Sequence, residues 1–408
     1  MKKKIVCFMV TLAMILPSML CISCSNEEEG KAEVDYSAPS RVTDVTAQPI
    51  AGGVVLSWKR PQESSFKYVK VSYLNSRGES AYAIVSGERA DANGIMTATI
   101  CGFASTEKVK FSIYACSVKG NNQGAYEFEA APDEPNFARF VSLLTFDDAP
   151  GGVRVGYKND FDEDFTVRVK FASATDKSKS GEASFVAKAS TQGAQFVRFL
   201  LESGKVLSDV NCDLRVTSED VAANASEVRE VTVKSIGVVV IDRSNWSIPG
   251  EIYDSNEATI GYSSQEAMGE GATNGRVRCV FDGDTKSFWH SSWKIASTLP
   301  QWFIIDMGQD YPLANMEITG RIGDGRGQTG HHIYACSDGD AANKNMPDSW
   351  KWVDCGGHAF IPGLADPQFI DLSFKMPTAR YVKIYVGEEY KGKGDHAMVS
   401  EVNIYTLK

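Results

Sequence analysis

Short segments that alternate apolar and polar side chains dominate the chain from Ser37 onward. Val54–Trp58, Tyr68–Tyr73 and Val109–Tyr114 all follow this pattern, and Gly, Pro, Asn and Ser fill the stretches between them. A period of two residues directs one set of side chains into a core and the other into water, which is typical of strands in a β-sandwich. Long segments with the 3.6-residue helical period are scarce. The sequence therefore predicts an all-β protein.

An internal repeat organises the first part of the chain. Residues 52–59, Gly-Gly-Val-Val-Leu-Ser-Trp-Lys, align with residues 151–158, Gly-Gly-Val-Arg-Val-Gly-Tyr-Lys, at an offset of 99 residues. A period near 100 residues is the size of one immunoglobulin-like sandwich. We therefore predict two immunoglobulin- or fibronectin-like sandwiches, at 38–132 and 133–242.

The first copy resembles a fibronectin type III domain at specific positions. Pro39 precedes the first strand, Trp58 lies on the second, and residues 109–117 with the hairpin 120–124 match the penultimate strand and its turn. Trp58 is predicted to belong to the core rather than to a ligand surface, since buried aromatic residues dominate such cores. The second copy is a weaker match, with Tyr157 in place of tryptophan. The resemblance implies that both domains are spacers.

The N-terminus predicts export and a lipid anchor. Basic residues at 2–4 and an apolar segment too short to span a bilayer indicate a secretory signal at 1–23. Ile22-Ser23-Cys24 resembles the end of a bacterial lipobox, which implies an acylated Cys24. The alternative is an ordinary signal peptide with an incidental cysteine. If Cys24 is lipidated, the membrane is contacted through the acyl chains alone.

An acidic tether, residues 24–37, follows the signal. Clustered like charges usually form a solvated linker. The tether also resembles the export signal of surface lipoproteins in Gram-negative Sus-like glycan-uptake systems. That resemblance implies an outer-membrane lipoprotein exposed at the cell surface, with an outer-membrane transporter as a partner.

Charge and cysteine content narrow the classes of partner. A formal net charge of −10 and a pI near 5.2 argue against nucleic acid as a partner. Six cysteines remain beyond residue 24, and none forms a Cys-x-x-Cys pair, which argues against a zinc site. Each could be a small buried apolar residue, or Cys336 and Cys355 could form a disulfide.

The segment 245–408 differs in composition from the rest of the chain. It holds all five histidines and six of the seven tryptophans, residues that binding surfaces favour. Motifs at 262–266, 280–290, 301–308, 379–386 and 400–405 follow one another in a characteristic order. With them, this segment resembles the discoidin, or coagulation-factor C-type, domain, a galactose-binding-like jelly roll found in many bacterial carbohydrate-binding modules.

A cation site is predicted at the turn that contains Asp282, Asp284 and Ser287. Two carboxylates and a hydroxyl on a tight glycine turn offer the oxygen ligands that Ca²⁺ prefers. In the discoidin-like family such a loop binds calcium together with a glutamate near the C-terminus, matched here by Glu401. The alternative is an Asx-turn in which both aspartates cap their own backbone. We expect the Ca²⁺ to be structural.

The ligand site predicted from the resemblance comprises His290, Trp293 and Arg321. Galactose-binding members carry a histidine, an aromatic residue and an arginine at matching loops, and sugars are bound by aromatic faces and charged donors. Tyr390, in a polar loop that ends at His396, is a further ligand-binding candidate. His290 could instead be a purely structural histidine.

These observations favour a binding protein over an enzyme. We expect a non-catalytic surface lipoprotein that binds carbohydrate, either a galactose-like sugar or a more complex glycan, and assists polysaccharide capture. One alternative is an adhesin that recognises a host protein or surface. A glycoside hydrolase is the weaker alternative, because it needs two carboxylates in a cleft, and no segment outside the three sandwiches is large enough for a catalytic barrel.

Overall fold

The computed structural model describes residues 34–295 and 298–408, within which 23 β-strands accompany one α-helix. The all-β prediction is therefore confirmed. In these ranges no helix has the length and apolar character needed to cross a membrane. The signal segment and Cys24 lie outside the described residues.

The first sandwich packs a three-stranded sheet, β1–β2–β5, against a four-stranded sheet, β4–β3–β6–β7. Trp58 is only 1% exposed and lies in the core between them, as predicted. The strands are β1 (Thr43–Ile50), β2 (Gly53–Lys59), β3 (Tyr68–Leu74), β4 (Ser80–Ser86), β5 (Ile95–Cys101), β6 (Val109–Cys116) and β7 (Tyr126–Ala130).

The second sandwich opens with the helix α1 (Asn136–Leu143), which the sequence analysis did not predict. Its buried residues, Phe137, Phe140 and Val141, share one helical face. The seven strands follow the order β11–β10–β13–β14–β8–β9–β12, in which β14 and β8 pair in parallel. They are β8 (Thr145–Pro150), β9 (Gly152–Asn159), β10 (Phe165–Ser173), β11 (Ser180–Ala187), β12 (Thr191–Arg198), β13 (Val210–Glu219) and β14 (Arg229–Ile236).

The sequence repeat corresponds to a repeated turn. Gly52 and Gly151 both have positive φ, 59° and 73°, a conformation that side chains disfavour. The carbonyl of Gly52 accepts a hydrogen bond from the backbone N of Phe103, and that of Gly151 accepts one from Phe199, each at 3.0 Å. The turns into β2 and β9 therefore require glycine at positions 52 and 151.

The third sandwich is built around one long strand, β17, which contributes to both of its sheets. Residues 301–312 of β17 pair with β21, and β18 and β19 follow; we call this the front sheet. Residues 313–319 pair with β23 and β20, and β15 lies beyond β23; this is the back sheet. The strands are β15 (Val238–Val240), β16 (Trp289–His290), β17 (Gln301–Thr319), β18 (Gly330–Cys336), β19 (Val353–Ala359), β20 (Gln368–Asp371), β21 (Thr378–Val386), β22 (Met398–Val399) and β23 (Glu401–Leu407).

The third sandwich begins earlier than the sequence analysis placed it. Residues 238–242 were assigned to the second domain, but Val238–Val240 pairs with β23, and Ile241 lies in the third core. A short apolar strand can complete the edge of either neighbouring sheet, and local sequence does not specify which one.

The back sheet carries the contact with the second sandwich. The Arg198 guanidinium lies 2.6 Å from a Glu317 carboxylate oxygen, and both side chains are largely buried. Phe196 stacks on Phe369 with ring centroids 5.1 Å apart, and the Asn315 side chain donates to the Pro150 carbonyl at 3.0 Å. The outer face of the back sheet is therefore covered within the chain.

The disulfide considered between Cys336 and Cys355 is absent from the structure. Both are free thiols, and each donates to a backbone carbonyl, of Ser337 and Val353 respectively. Burial raises the pKa of each thiol to about 11. The prediction of buried, unreactive cysteines is correct for Cys336.

Candidate ligand-binding site

Two short strands position the start of the candidate site. Trp289 and His290 form β16, which pairs with β22 through Trp289–Val399 and His290–Met398. Trp289 is fully buried in the core, as predicted, and its indole N–H donates to the Ser264 carbonyl at 2.9 Å. This pairing holds the loop that follows, with Trp293, at the edge of the sandwich.

Glu266, which the sequence analysis did not single out, anchors that loop. One of its carboxylate oxygens accepts the backbone N–H groups of Trp293 and Lys294, at 3.1 and 3.0 Å, and the Ser292 hydroxyl at 2.8 Å. Burial alone would raise the pKa of Glu266, but these hydrogen bonds and one from Asn256 hold it below its ordinary value. Glu266 therefore stays ionised and keeps the loop in one conformation.

Trp293 presents an exposed aromatic surface. Its side chain is 43% exposed, and its indole N–H donates to the Glu270 carboxylate at 3.3 Å. The ring lies so close to Gly269 that a Cβ there would be 2.4 Å from a ring carbon. Gly269 is thus needed for the ring to lie against the backbone, and Glu270 fixes the orientation of its edge.

Glu270 connects Trp293 to Arg321. The carboxylate oxygen that accepts from the indole lies 3.6 Å from the Arg321 guanidinium, and Asp324 lies 3.8 Å from the same group. The guanidinium also sits 4.1 Å from the centroid of the Phe288 ring. The site therefore combines an aromatic face, a donor group and a carboxylate acceptor.

His290 lies beneath this surface rather than on it. It is 5% exposed, and its Nδ1 donates to the Ser291 carbonyl at 2.6 Å. Burial lowers the pKa of His290, so the ring is neutral near pH 7. Its ring centroid is 5.1 Å from that of His396, whose buried Nδ1 has no hydrogen-bond partner among the described residues. The two histidines form a polar layer under the loop end.

Tyr390 is not part of the contacts that join Trp293, Glu270 and Arg321. Its ring packs on the backbone of the front sheet, where a Cβ on Gly330 would lie 2.1 Å from the ring and one on Gly357 1.9 Å from the hydroxyl. The polar loop that holds Tyr390 predicts a place beside the loop site, but Tyr390 lies over β18 and β19 instead.

The predicted calcium ligands converge, but protein donors already use their oxygens. The Ser287 hydroxyl donates to Asp282 at 2.6 Å, and the backbone N of Gly283 donates to Glu401 at 3.1 Å. Asp284 accepts from the backbone N of Lys286 at 2.9 Å. Asp282 also accepts from the backbone N of Asp284, at 2.9 Å, so the Asx-turn alternative describes both aspartates as they stand.

Arg243 supplies a positive charge where the calcium was expected. Its guanidinium forms an ion pair with Glu401. Burial raises the pKa of Glu401 to about 7, and Arg243 opposes that rise. Over residues 34–295 and 298–408, no three His, Cys, Asp or Glu side chains are grouped to hold a metal. The side chains as placed do not fit a Ca²⁺ ion, and calcium stays a prediction.

Comparison with known families identifies the domain that carries this site. Residues 259–402 match the model of the F5/8 type C domain. That range includes Glu270, His290, Trp293 and Arg321. The third sandwich is therefore an F5/8 type C, or discoidin, domain. No curated protein sequence matches the chain.

Several solved structures are similar to parts of the chain. The C-terminal domain of a chitobiase from Bacteroides fragilis is 24% identical, with 42% of this chain and 99% of that one covered and a TM-score of 0.34. The family 32 carbohydrate-binding module of C. perfringens NanJ, solved with galactose, is 17% identical, with 41% and 98% covered and a TM-score of 0.30. A SusE-like protein is 14% identical, with 67% and 99% covered and a TM-score of 0.33.

Proposed function

We propose that this chain is a non-catalytic, glycan-binding protein whose discoidin domain binds sugar at Trp293, Glu270 and Arg321. The observation that supports this most directly is the exposed Trp293 ring, whose edge is held by a carboxylate that also pairs with a guanidinium. An aromatic face contacts the apolar C–H surface of a pyranose, while the charged groups accept from and donate to its hydroxyls. His290 supports the loop from below.

The remaining parts of the proposal rest on the sequence. We place the chain on the outer membrane as a surface lipoprotein anchored through Cys24, and we assign it an accessory role in polysaccharide capture with a transporter as partner. The N-terminal segment that motivates this lies outside the described residues.

The sugar site is tested by two substitutions that differ in character. Trp293→Ala removes stacking area that most pyranoses use, so binding should weaken for every glycan that the parent binds. Arg321→Ala removes charge-assisted hydrogen bonds worth about 1.5–3 kcal/mol, roughly ten- to a hundredfold in affinity, for the sugars whose hydroxyls it contacts. A glycan array followed by calorimetry on the hits measures both.

Tyr82→Ala is the matched control, because Tyr82 is an aromatic residue, 62% exposed, in the first sandwich. It should bind as the parent does. Binding that a free monosaccharide cannot compete away, or that survives both site substitutions in folded protein, would contradict the proposal and favour an adhesin that recognises protein.

We also propose that Ca²⁺ binds at Asp282 and Glu401 only in competition with Arg243. The parent should gain little thermal stability from Ca²⁺, whereas Arg243→Gln, which removes the charge, should gain about 2.7 kcal/mol at a Ca²⁺ concentration one hundred times the Kd. Melting curves in Ca²⁺ and in chelator measure this, and adding Asp282→Ala should cancel the gain. Equal melting temperatures of Arg243→Gln in both conditions would exclude calcium at this turn.

A further inference from the structure

The outer face of the front sheet carries a row of aromatic side chains. Backbone pairing places Trp302 opposite Tyr385, and Tyr385 opposite His332, so that the three lie side by side on β17, β21 and β18. Neighbouring strands are about 4.8 Å apart, so the row extends on the order of 10 Å. All three side chains are partly exposed, although their neighbours along each strand are buried in the core.

A lysine lies among the aromatic rings of this face. The Lys383 ammonium is 4.5 Å from the centroid of the Trp302 ring, 5.9 Å from that of Tyr385 and 6.0 Å from that of Trp352. Asp348 acts on it electrostatically, but Lys383 forms no ion pair with any described residue. Burial lowers the pKa of Lys383. Its donors are therefore partly desolvated and available to an acceptor on a ligand.

The other end of the face offers hydrogen-bond acceptors. His332 stacks on Tyr334, with centroids 4.6 Å apart, and its Nε2 lies 2.6 Å from Asp354. Burial is the largest cause of the raised pKa of Tyr334 and of Tyr385. The nearby Glu389 carboxylate raises both pKa values further. The Asp354 and Glu389 carboxylates thus border the aromatic row.

Two glycines keep this end of the face flat. Tyr390 lies directly over Gly330 and Gly357, in the space that any larger side chain would occupy. Gly357 pairs with His332 across β18 and β19, so Tyr390 extends the aromatic row by one more strand. Tyr390 is thus a ligand-binding candidate on this face rather than at the loop site.

The face lies on the side of the third sandwich away from the second sandwich. The second sandwich covers the outer side of the back sheet through Arg198, Glu317 and Phe369. The two sheets of a sandwich turn their outer sides in opposite directions. Trp350 and Ala341 cover part of the front sheet's outer side, where they bury Tyr381 and Cys336. Trp302, Tyr385 and His332 remain partly exposed beside that cover, within reach of an external molecule.

We propose that this face is a second glycan-binding surface, which takes a neutral oligosaccharide or polysaccharide chain. Trp302, Tyr385 and Tyr390 provide stacking surface for successive pyranose rings, and Lys383 donates to their oxygens. Hydroxyls both donate and accept, which matches a face that offers both an ammonium and carboxylates. The Asp348, Asp354 and Glu389 carboxylates around the face outnumber its two lysines, Lys383 and Lys375, so an anionic glycan is disfavoured.

The second surface does not depend on the loop site. None of its residues belongs to the group Trp293, Glu270 and Arg321, and it is formed by strands rather than by loops. Two separate surfaces on one domain would raise the affinity for a polymer that reaches both, without any new contact.

Affinity electrophoresis of the full chain in gels that contain xylan, galactan or β-glucan tests the proposal. In a Trp293→Ala, Arg321→Ala background, at least one of these neutral polysaccharides should still retard the protein. Adding Trp302→Ala should then reduce the retardation at least tenfold, and adding Lys383→Gln or Tyr385→Ala should reduce it by a smaller factor. Polygalacturonate should not retard the protein.

The outcomes separate this proposal from its alternatives. Loss of all retardation in the Trp293→Ala, Arg321→Ala background would overturn the second surface and leave the loop site standing. Retardation that Lys383→Gln and Tyr385→Ala leave unchanged, with melting temperatures near the parent's, would also overturn it. If light scattering shows dimers that Trp302→Ala disrupts, the face is a self-association surface instead. Tyr82→Ala serves as the exposed aromatic control.

Discussion

Replacing Glu317 with alanine is expected to lower the free energy of unfolding by about 3–5 kcal/mol, the usual cost of removing one partner of a buried ion pair. Glu317 and Arg198 are 11% and 15% exposed at the side chain. The substitution leaves the Arg198 charge between the second and third sandwiches without its counterion. It also removes the acceptor of the Tyr405 hydroxyl, which donates to Glu317 at 2.7 Å.

In Glu317→Ala, the contact between the second and third sandwiches should therefore be lost before either sandwich unfolds. Urea unfolding of Glu317→Ala should be followed by tryptophan fluorescence, which reports on the first and third sandwiches, and by far-UV circular dichroism, which reports on all three, because the second sandwich has no tryptophan. The two probes should show the transitions of the second and third sandwiches separating. The double variant Arg198→Met, Glu317→Leu should recover much of the loss, because apolar residues replace a buried pair at little net cost. Lys408→Ala is the control, since its pair with Asp209 is exposed and should contribute less than about 1 kcal/mol. Equal losses in the single and double variants would contradict an electrostatic role.

Acid should destabilise the discoidin domain through His331. This histidine is 1% exposed, its Nε2 accepts from the Gln328 amide at 2.9 Å, and its ring packs edge-on against Phe360. Burial lowers the pKa of His331 to about 3. The stability that comes from keeping the ring neutral is complete above the unfolded-state pKa near 6.5 and is lost as the pH falls towards 3.

At about 1.4 kcal/mol per pKa unit, the difference between the folded and unfolded pKa of His331 corresponds to several kcal/mol of unfolding free energy. His331→Gln, which keeps a neutral polar group, should flatten the dependence of unfolding free energy on pH between 6.5 and 3. His332→Gln is the matched control, at a partly exposed histidine on the same strand. Unfolding free energies measured across this range in urea test the difference. Parallel curves for the parent and His331→Gln would show that His331 does not titrate on unfolding.

The β-strands could be predicted because period-two alternation is a local property. The helix α1 was missed although its signal was present: Phe137, Phe140, Val141 and Leu144 follow the helical spacing directly after Pro135. Eight residues with helical spacing are weak evidence for a helix in a sequence whose other segments follow the strand period. The helix forms because its apolar face closes one end of the second core.

The candidate site was predictable only in part. His290 and Trp293 could be named because they adjoin the Trp289 motif, and Arg321 because the resemblance supplied its loop. The roles of Glu266 and Glu270 could not be found, although Glu266 ends one of the discoidin-like motifs, since both lie more than twenty residues from Trp293 in sequence. Their role comes from the packing that brings their carboxylates to the loop.

The all-β class, the two-copy repeat with its glycine turns and the aromatic-rich third domain can all be read from the amino-acid sequence. Each of these features depends on the spacing of residues along the chain or on the backbone conformation that one residue can adopt. Tertiary structure alone decided that Val238–Val240 joins the third domain, that Arg243 pairs with Glu401, and that Tyr390 lies beside the Trp302 row. These pairings join residues that are distant in sequence, and strand register and domain docking set them. No local pattern encodes which strands become neighbours.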